Sequence, residues 1–419
     1  MKAIPRISCI KFALCFSILL FEWMNVNAQS EHDYSFINLK KNVLIYDSSS
    51  SLVQFFQKLD TVVSNKSGNI NIVHIGASHV QAGTLPNRIR VNLMNAFPEN
   101  IGARGMIFPY SAAKKCNNPF DYSTTKQGEF NLIRNVYDTL PKPLGATGIA
   151  VYTSDSDAQI KITLLDSIKY KTNKIQLFGF AENAQVNPTI LVNGKEYKHS
   201  AHDSLKRCYT YFVDDFYDSL VVKIPNHDFS TFTITGILLE NDEPGITYHS
   251  IGVNGAKASS FLKCEYFSLD LESINPDLVI FGLGINDAAE TEFSEDVFTA
   301  NYLDLIERIK EVNPDCAFIF ITNNDSFKRI DNGKYEVNKR GKVVRDLFFD
   351  IAKQTNSAVY DQFEIMGGMS SMAKWEKAKL AKVDKVHFTN KGYQLIGDLF
   401  FDAFMKAYIN TKKQAEKQQ

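Results

Sequence analysis

Apolar residues recur along the chain with two different spacings, and each spacing predicts a different kind of element. The run 69–75, Asn-Ile-Asn-Ile-Val-His-Ile, is typical of a buried strand and stops at Gly76. From Thr84 to Phe97 the apolar side chains recur every four residues, which places them on one face of a helix. These two segments form a strand–loop–helix unit. A further helix is predicted before it, near 51–63.

Between about Thr147 and Glu240 the spacing changes to short β-rich runs. The predicted strands are 149–152, 160–165, 175–180, 189–192, 208–213, 220–224 and 232–239. Asn193-Gly194, between two of them, is a strong hairpin signal. A β-sandwich of about one hundred residues is the simplest architecture for this pattern.

Strands and helices alternate again after this region, with strands predicted at 277–281, 316–321 and 358–360 and helices at 294–312, 337–354 and 390–408. Such alternation builds a parallel sheet with helices on both faces. The predicted α/β domain therefore consists of 67–145 and 246–412, interrupted by the β-sandwich at 146–245. Residues 29–66 form a polar and helical segment before it, and the charged tail 413–419 is predicted to be frayed.

The first 28 residues have the features of an export signal. Basic residues precede the apolar run 12–21, and Val26-Asn27-Ala28 places small side chains at the cleavage positions. Because the run is short and Glu22 closes it, a retained membrane anchor is the weaker alternative. A lipidated Cys15 is rejected because the bulky Leu14 precedes it. We therefore expect a periplasmic or secreted protein with no stable membrane span after cleavage near Ala28.

Composition and charge limit the classes of partner. Apolar residues make up 44% of the chain and charged residues 22%, as in an ordinary globular protein. Lys and Arg number 46 against 47 Asp and Glu, so there is no basic excess to bind a nucleic acid, and none is expected as a partner. Cys116, Cys208, Cys264 and Cys316 are widely spaced, which indicates neither a zinc site nor a dense disulfide framework and leaves one bridge open.

In an open parallel sheet the strand ends form a crevice, so the residues just after predicted strands are candidates for a site. Four polar blocks stand out: one after the first strand, one where the chain re-enters the α/β domain, one after the strand 277–281 and one just before the last helix. They are Gly76-Ala77-Ser78-His79, Gly252-Val253-Asn254-Gly255-Ala256, Gly284-Ile285-Asn286-Asp287 and Asp384-Lys385-Val386-His387. Ser78, His387 and Asp384 suit a nucleophile, its general base and the carboxylate that orients the base. The backbone N–H groups of Ser78 and Gly255 and the side-chain amide of Asn286 suit an oxyanion hole.

Each of these residues also has a structural interpretation when taken singly. Ser78 suits a helix cap, Asn286 a turn, and His387 a partly buried, hydrogen-bonded histidine. Asp384 suits a loop carboxylate, and the glycines suit turns. Their order at successive strand ends is what favours a single catalytic site.

These four blocks resemble those of the SGNH hydrolases, also called the GDSL esterase/lipase family. The long β-rich gap after block one, preceded by the run 104–109, is similar to that of peptidoglycan O-acetylesterases, as are Met366-Gly367-Gly368-Met369 and Trp375. The resemblance covers nearly all of the mature chain. It implies a flavodoxin-like three-layer α/β/α fold with an insert that resembles a carbohydrate-binding module. It also implies Ser78 as nucleophile, Gly255 and Asn286 as oxyanion donors, and Asp384 with His387 as the remaining pair.

Two features depart from related patterns. The family usually has Asp where this chain has Ala77, so looser positioning of the nucleophile loop is expected. Val80 stands where the α/β-hydrolase nucleophile elbow needs its second glycine, so that motif is not matched.

Asp287 and His79 are expected to be structural. The spacing of His74 and His79 does not fit metal ligands, and neither a metal nor a cofactor is predicted.

Three functions follow as hypotheses. The leading one is an exported esterase that removes O-acetyl groups from an acetylated glycan, such as peptidoglycan. The second is a polysaccharide O-acetyltransferase with the same acyl-enzyme, and the third is a glycan-binding pseudoenzyme. The sequence carries no signal for the oligomeric state.

Overall fold

The computed structural model describes residues 34–418 apart from 115, 117, 183–185, 226–229 and 331–332. The predicted signal peptide, 1–28, lies outside these residues. Among the helices of the described part, none is both long enough and apolar enough to cross a membrane.

The helices are α1 (Ser51–Asn65), α2 (Ser78–Gln81), α3 (Thr84–Ala96), α4 (Ala258–Leu262), α5 (Phe267–Ile274), α6 (Glu295–Val312), α7 (Arg340–Thr355), α8 (Gln362–Ile365), α9 (Ser371–Lys377) and α10 (Asn390–Gln418), with 3₁₀ turns at Leu39–Lys41 and Tyr110–Ala112. The strands are β1 (Leu44–Ile45), β2 (Asn69–Gly76), β3 (Gly105–Ile107), β4 (Tyr122–Gln127), β5 (Asn131–Arg134), β6 (Ile149–Thr153), β7 (Asp157–Leu164), β8 (Thr172–Ala181), β9 (Thr189–Val192), β10 (Lys195–Lys198), β11 (Ala201–Asp203), β12 (Cys208–Phe216), β13 (Ser219–Pro225), β14 (Phe232–Glu240), β15 (Gly245–Gly252), β16 (Leu278–Gly282), β17 (Ala317–Ile321), β18 (Phe327–Arg329), β19 (Tyr335–Val337) and β20 (Ala358–Tyr360).

Six strands form the main sheet, in the spatial order β1-β20-β17-β16-β2-β15. β1 pairs antiparallel with β20 at one edge, and all other neighbours are parallel. Counted in chain order, the parallel strands have the 2-1-3-4-5 arrangement of flavodoxin-like folds, as predicted.

Alternate residues of β2 pack on opposite faces of this sheet, as the two-residue repeat of a strand requires. Val73 and Ile75 lie in an apolar cluster that includes residues of α6 and α7. Ile70 and Ile72 lie in a second cluster, with residues of α1, α3 and α10. The sheet is therefore the middle layer of three.

Two antiparallel sheets form the inserted β-sandwich. One has the order β10-β9-β13-β7-β4, and the other has the order β11-β12-β8-β14-β6-β5, with β3 also paired to β14. Buried side chains of both, such as Val222 from the first and Ile234 from the second, belong to one apolar cluster. The predicted hairpin is present, because Asn193 and Gly194 have φ values of 50° and 78° and join β9 to β10.

The structure differs from the sequence-based boundaries at the start of the insert, at residue 337, which lies in β19 and not in the helix that begins at Arg340, and at the C-terminal tail. β3, β4 and β5 precede residue 146 yet pair within the antiparallel sheets, so the predicted division at 146 separates strands that belong together. β4, Tyr-Ser-Thr-Thr-Lys-Gln, carries too few apolar residues to give a strand signal. The tail predicted to be frayed is helical as far as Gln418, since its Lys, Gln, Ala and Glu residues are good helix formers.

Candidate active site

Three neighbouring strands of the main sheet end at the same level. Gly76 at the end of β2 lies in register with Gly252 of β15 on one side and with Gly282 of β16 on the other. The first block follows β2, the second follows β15 and the third follows β16. From β2 the chain continues to β15 on one side and then to β16 on the other side, so the strand order reverses between β2 and β16. Open α/β sheets bind their ligands at such a point.

The predicted nucleophile, base and carboxylate form one hydrogen-bonded chain. The Oγ of Ser78 lies 2.9 Å from Nε2 of His387. The Nδ1 of the same imidazole lies 2.9 Å from Oδ2 of Asp384. Ser78 is the first residue of α2, whereas the other two lie on the loop before α10. This is the geometry needed for His387 to take a proton from Ser78 while Asp384 holds the ring.

The loop that carries the pair is fixed by its own hydrogen bonds. Oδ1 of Asp384 accepts the backbone N–H groups of Val386 at 2.9 Å and His387 at 3.0 Å. Lys385 between them adopts a left-handed φ of 53°, which closes the turn. The Nδ2 of Asn324, just after β17, donates to the Val386 carbonyl at 3.1 Å and ties the loop to the sheet.

The environment of Asp384 favours its charged form. Partial burial raises the pKa of this carboxyl group, but hydrogen bonds from the His387 and Val386 backbone and from the imidazole outweigh that effect. The net result is a pKa below the usual value. Asp384 is therefore ionised at neutral pH and able to stabilise a protonated His387.

Hydrogen bonds connect the loops that carry the predicted oxyanion donors to neighbouring segments of the site. Asn286 donates from Nδ2 to the Ala256 carbonyl at 2.9 Å, which orients its amide and leaves the second amide hydrogen for another acceptor. The Asn254 N–H donates to Oε1 of Gln81 at 2.6 Å, which joins the second block to α2. Gly255 has a φ of 84°, in the left-handed region that glycine favours.

Two of these contacts involve residues that the sequence analysis did not select. Gln81 lies three residues after the nucleophile on the same short helix, and nothing in its spacing distinguishes it. Asn324 belongs to the buried polar run 322–326 directly after β17. The rule used for the four blocks, inspection of residues just after each strand, would have found this run.

The other histidines near the site are buried and neutral. Nδ1 of His74 lies 2.8 Å from the Tyr248 hydroxyl, and Nδ1 of His79 lies 2.8 Å from the Tyr393 hydroxyl. Burial lowers the pKa of each to about 3. The His79 ring lies 5.4 Å from that of His387 and puts no positive charge beside it. This supports the structural role expected for His79.

Asp287, next to Asn286, is buried, and its Oδ2 has no hydrogen-bond partner among the described residues. Burial raises the pKa of its carboxyl group to about 7.

Within the described ranges, no group of three or more His, Cys, Asp or Glu side chains is placed to bind a metal ion. Cys116, Cys208, Cys264 and Cys316 are free thiols, so the bridge left open by the sequence is not formed.

Comparison with known proteins finds a family model that matches part of the chain and a solved structure with the same fold. The model of the GDSL-like Lipase/Acylhydrolase family matches residues 234–395, which include Gly255, Asn286, Asp384 and His387, whereas Ser78 lies before the insert. A solved structure of a peptidoglycan O-acetylesterase matches with a TM-score of 0.72 at 22% identity, over 88% of this chain and 99% of that chain. It therefore shares this fold.

Two further solved structures match with low superposition scores. An acetyl xylan esterase has a TM-score of 0.30 at 20% identity, over 38% of this chain and 81% of that chain. A family two carbohydrate esterase from Cellvibrio japonicus has a TM-score of 0.26 at 7% identity, over 69% of this chain and 99% of that chain. No curated protein sequence matches the chain.

Proposed function

We propose that this chain, in which residues 234–395 match the GDSL-like Lipase/Acylhydrolase family, is a carboxylic ester hydrolase that removes O-acetyl groups from carbohydrate through an acyl-enzyme on Ser78. The observation that carries this proposal is the hydrogen-bonded chain Ser78–His387–Asp384. It lies beside the Gly255 and Asn286 loops, which suit an oxyanion hole.

In this mechanism Oγ of Ser78 attacks the acetyl carbonyl carbon while its proton passes to Nε2 of His387. The negative charge on the carbonyl oxygen is stabilised by the N–H groups of Ser78 and Gly255 and by the Asn286 amide. The sugar oxygen then leaves and takes the proton from His387, so that the acetyl group stays on Ser78. Water, deprotonated by His387, attacks the acetyl-serine and releases acetate.

Peptidoglycan is the favoured substrate within this class. The O-acetylesterase that shares the fold acts on peptidoglycan, and its likeness to this chain extends over the insert as well as the α/β domain. The side chains of His387 and Asp384 are 34% and 42% exposed, so a polymer can reach the site from outside. A signal peptide at 1–28 would deliver the enzyme to the periplasm or beyond, where such a polymer lies.

The test is acetate release from O-acetylated peptidoglycan and from acetylated xylan, with the unsubstituted protein beside Ser78→Ala. We expect release from peptidoglycan to be faster, and to be lost in Ser78→Ala. Full release by that variant would contradict the proposed mechanism, and faster release from xylan would contradict the proposed substrate.

Two additional measurements address the other hypotheses. Acetyl transfer to added oligosaccharide that exceeds acetate release would identify a transferase instead of an esterase. A fluorophosphonate probe labels a serine that its neighbours have activated. Failure to label Ser78 in the folded protein would support the glycan-binding pseudoenzyme.

A further inference from the structure

The inserted sandwich contacts the loop that carries the predicted oxyanion donor. Arg134 is the last residue of β5, which pairs with β6 in the antiparallel sheet. Its Nη2 donates a hydrogen bond to the backbone carbonyl of Asn254, 120 positions away in the chain. A guanidinium group from the insert therefore lies directly against the second block.

The bonded carbonyl belongs to the same peptide unit as the Gly255 N–H. Because a peptide unit is planar, fixing the direction of the Asn254 carbonyl also fixes the direction of the Gly255 N–H, which points the opposite way. The N–H of Asn254 is held in turn by Oε1 of Gln81 at 2.6 Å. Residue 254 is thus held by α2 on one side and by the insert on the other.

The residues that follow Arg134 pack along the same loop. Val136 lies beside Gly255, since a Cβ built on that glycine would lie 4.0 Å from Cγ1 of Val136. The Nζ of Lys263 donates to the Tyr137 carbonyl at 2.8 Å. Segment 134–137 is therefore attached to the region after β15 at several points.

The charge of Arg134 is also available to the site. No Asp or Glu among the described residues forms an ion pair with this guanidinium, and its Nε is buried without a hydrogen-bond partner among them. A charged donor on a carbonyl polarises the peptide and makes its N–H a stronger donor.

We propose that Arg134 is a positioning residue for the oxyanion hole: it orients and polarises the Asn254–Gly255 peptide so that the Gly255 N–H stabilises the oxyanion. This inference rests on the proposed function. It gives the insert a direct part in catalysis, since the donor is in place only when β5 is docked against the second block.

The experiment compares Arg134→Ala, Arg134→Gln and Arg134→Lys in the full chain, with 4-nitrophenyl acetate as substrate. This small ester does not depend on glycan contacts, so a loss cannot arise from weaker binding of a polymer. We expect kcat to fall by about tenfold to a hundredfold in the alanine and glutamine variants, with KM within about twofold. Arg134→Lys should retain part of the rate because it keeps the charge.

Two readouts separate positioning from a purely structural effect. Binding of a boronic acid, which forms a tetrahedral adduct on serine, should weaken in parallel with kcat/KM. Added methylguanidinium should partly restore the rate of Arg134→Ala. The matched control is Arg207→Ala, since the guanidinium of that arginine stacks on Phe180 and Tyr266. Its kcat and boronic acid affinity should stay unchanged.

The outcomes distinguish this inference from the proposed function. If Ser78→Ala hydrolyses the ester as fast as the unsubstituted protein, the proposed function fails and the inference fails with it. If hydrolysis depends on Ser78 but every Arg134 variant keeps kcat and boronic acid affinity, only the inference is overturned. A rise in KM at constant kcat would also overturn it, because that result identifies a substrate-binding residue.

Discussion

Ala77 shows how single residues define the nucleophile loop. The side chain is a fully buried methyl group, which has no atom that can accept a hydrogen bond. Its backbone carbonyl accepts instead, from the N–H groups of Val80 at 3.1 Å and Gln81 at 2.9 Å. The loop is therefore ordered through the backbone and through the Gln81 side chain, without the aspartate that the resemblance led us to expect at position 77.

Asn286 offers the sharpest test at this scale. Asn286→Ala removes one oxyanion donor, and loss of such a donor typically lowers kcat by about two to three orders of magnitude. We expect a loss of that size in kcat for acetate ester hydrolysis, with little change in KM. Asn173→Ala is the control, because its amide donates to Asp242 on the exposed surface of the insert. An Asn286→Ala enzyme with full kcat would exclude Asn286 from the oxyanion hole.

Among the elements, β15 and α2 approach each other unusually closely. A Cβ on Gly252 would lie 2.3 Å from the backbone N of Gln81, closer than any two such atoms can approach. Glycine at the end of β15 is what allows the second block to lie against the nucleophile helix.

Gly252→Ala should therefore push these elements apart. We expect a loss of about 1–3 kcal/mol in the free energy of unfolding, as for other overpacked sites, together with at least a tenfold loss of kcat. Gly194→Ala is the matched control, since a Cβ there meets nothing within 4 Å and only the left-handed φ opposes it. It should cost about 1 kcal/mol and leave kcat unchanged. Equal effects of the two changes on kcat would contradict this account.

Helix α5 carries a buried carboxylate to the start of the predicted insert. Oδ2 of Asp270 accepts the Ala146 N–H at 2.8 Å. Burial raises the pKa of Asp270 to about 7. The unfolded chain has the ordinary value near 4, so folding opposes ionisation, and stability is lost as the pH rises from about 4 to about 7.

Asp270→Asn should remove this dependence while keeping the acceptor. The free energies of unfolding of the two proteins, measured in urea, should converge near pH 4. Above pH 7 the variant should be the more stable by up to about 4 kcal/mol, since the shift is about three pKa units. Parallel stability profiles for the two proteins would show that Asp270 does not titrate in this range.

At the scale of the complete fold, buried charges join the α/β domain to the sandwich. Asp121 lies just before β4, and its Oδ2 pairs with Nη1 of Arg90 on α3 at 2.6 Å and with Nη2 of Arg104. Arg104 also pairs through Nε with Asp166 at 2.9 Å. Burial raises the pKa of Asp121, but the two guanidinium groups outweigh it and lower the pKa.

Asp121→Ala should leave two buried guanidinium groups without their shared partner. Breaking a buried pair in this way typically costs about 3–5 kcal/mol, and we expect a loss of that size in the free energy of unfolding. Asp218→Ala, which removes the exposed pair with Lys169, should cost less than about 1 kcal/mol. Similar losses from the two variants would mean that the buried network contributes no more than a surface pair.

The repeat of apolar residues, together with the order of the four blocks, was enough to predict an α/β domain with a β insert and the residues Ser78, Gly255, Asn286, Asp384 and His387. Periodicity and motifs are local properties, so they can be read along the chain. The contact between Ser78 and His387, 309 positions apart, required the strands to be in register.

The partners that hold the site could be found only in the folded chain. Arg134, Gln81 and Asn324 are ordinary polar residues in sequence, and each acquires its role from a neighbour distant in the chain. The strands before residue 146 were missed for the same reason. The sparsely apolar β4 is a strand because it pairs with β7, and β5 is a strand because it pairs with β6; such pairing is decided in three dimensions.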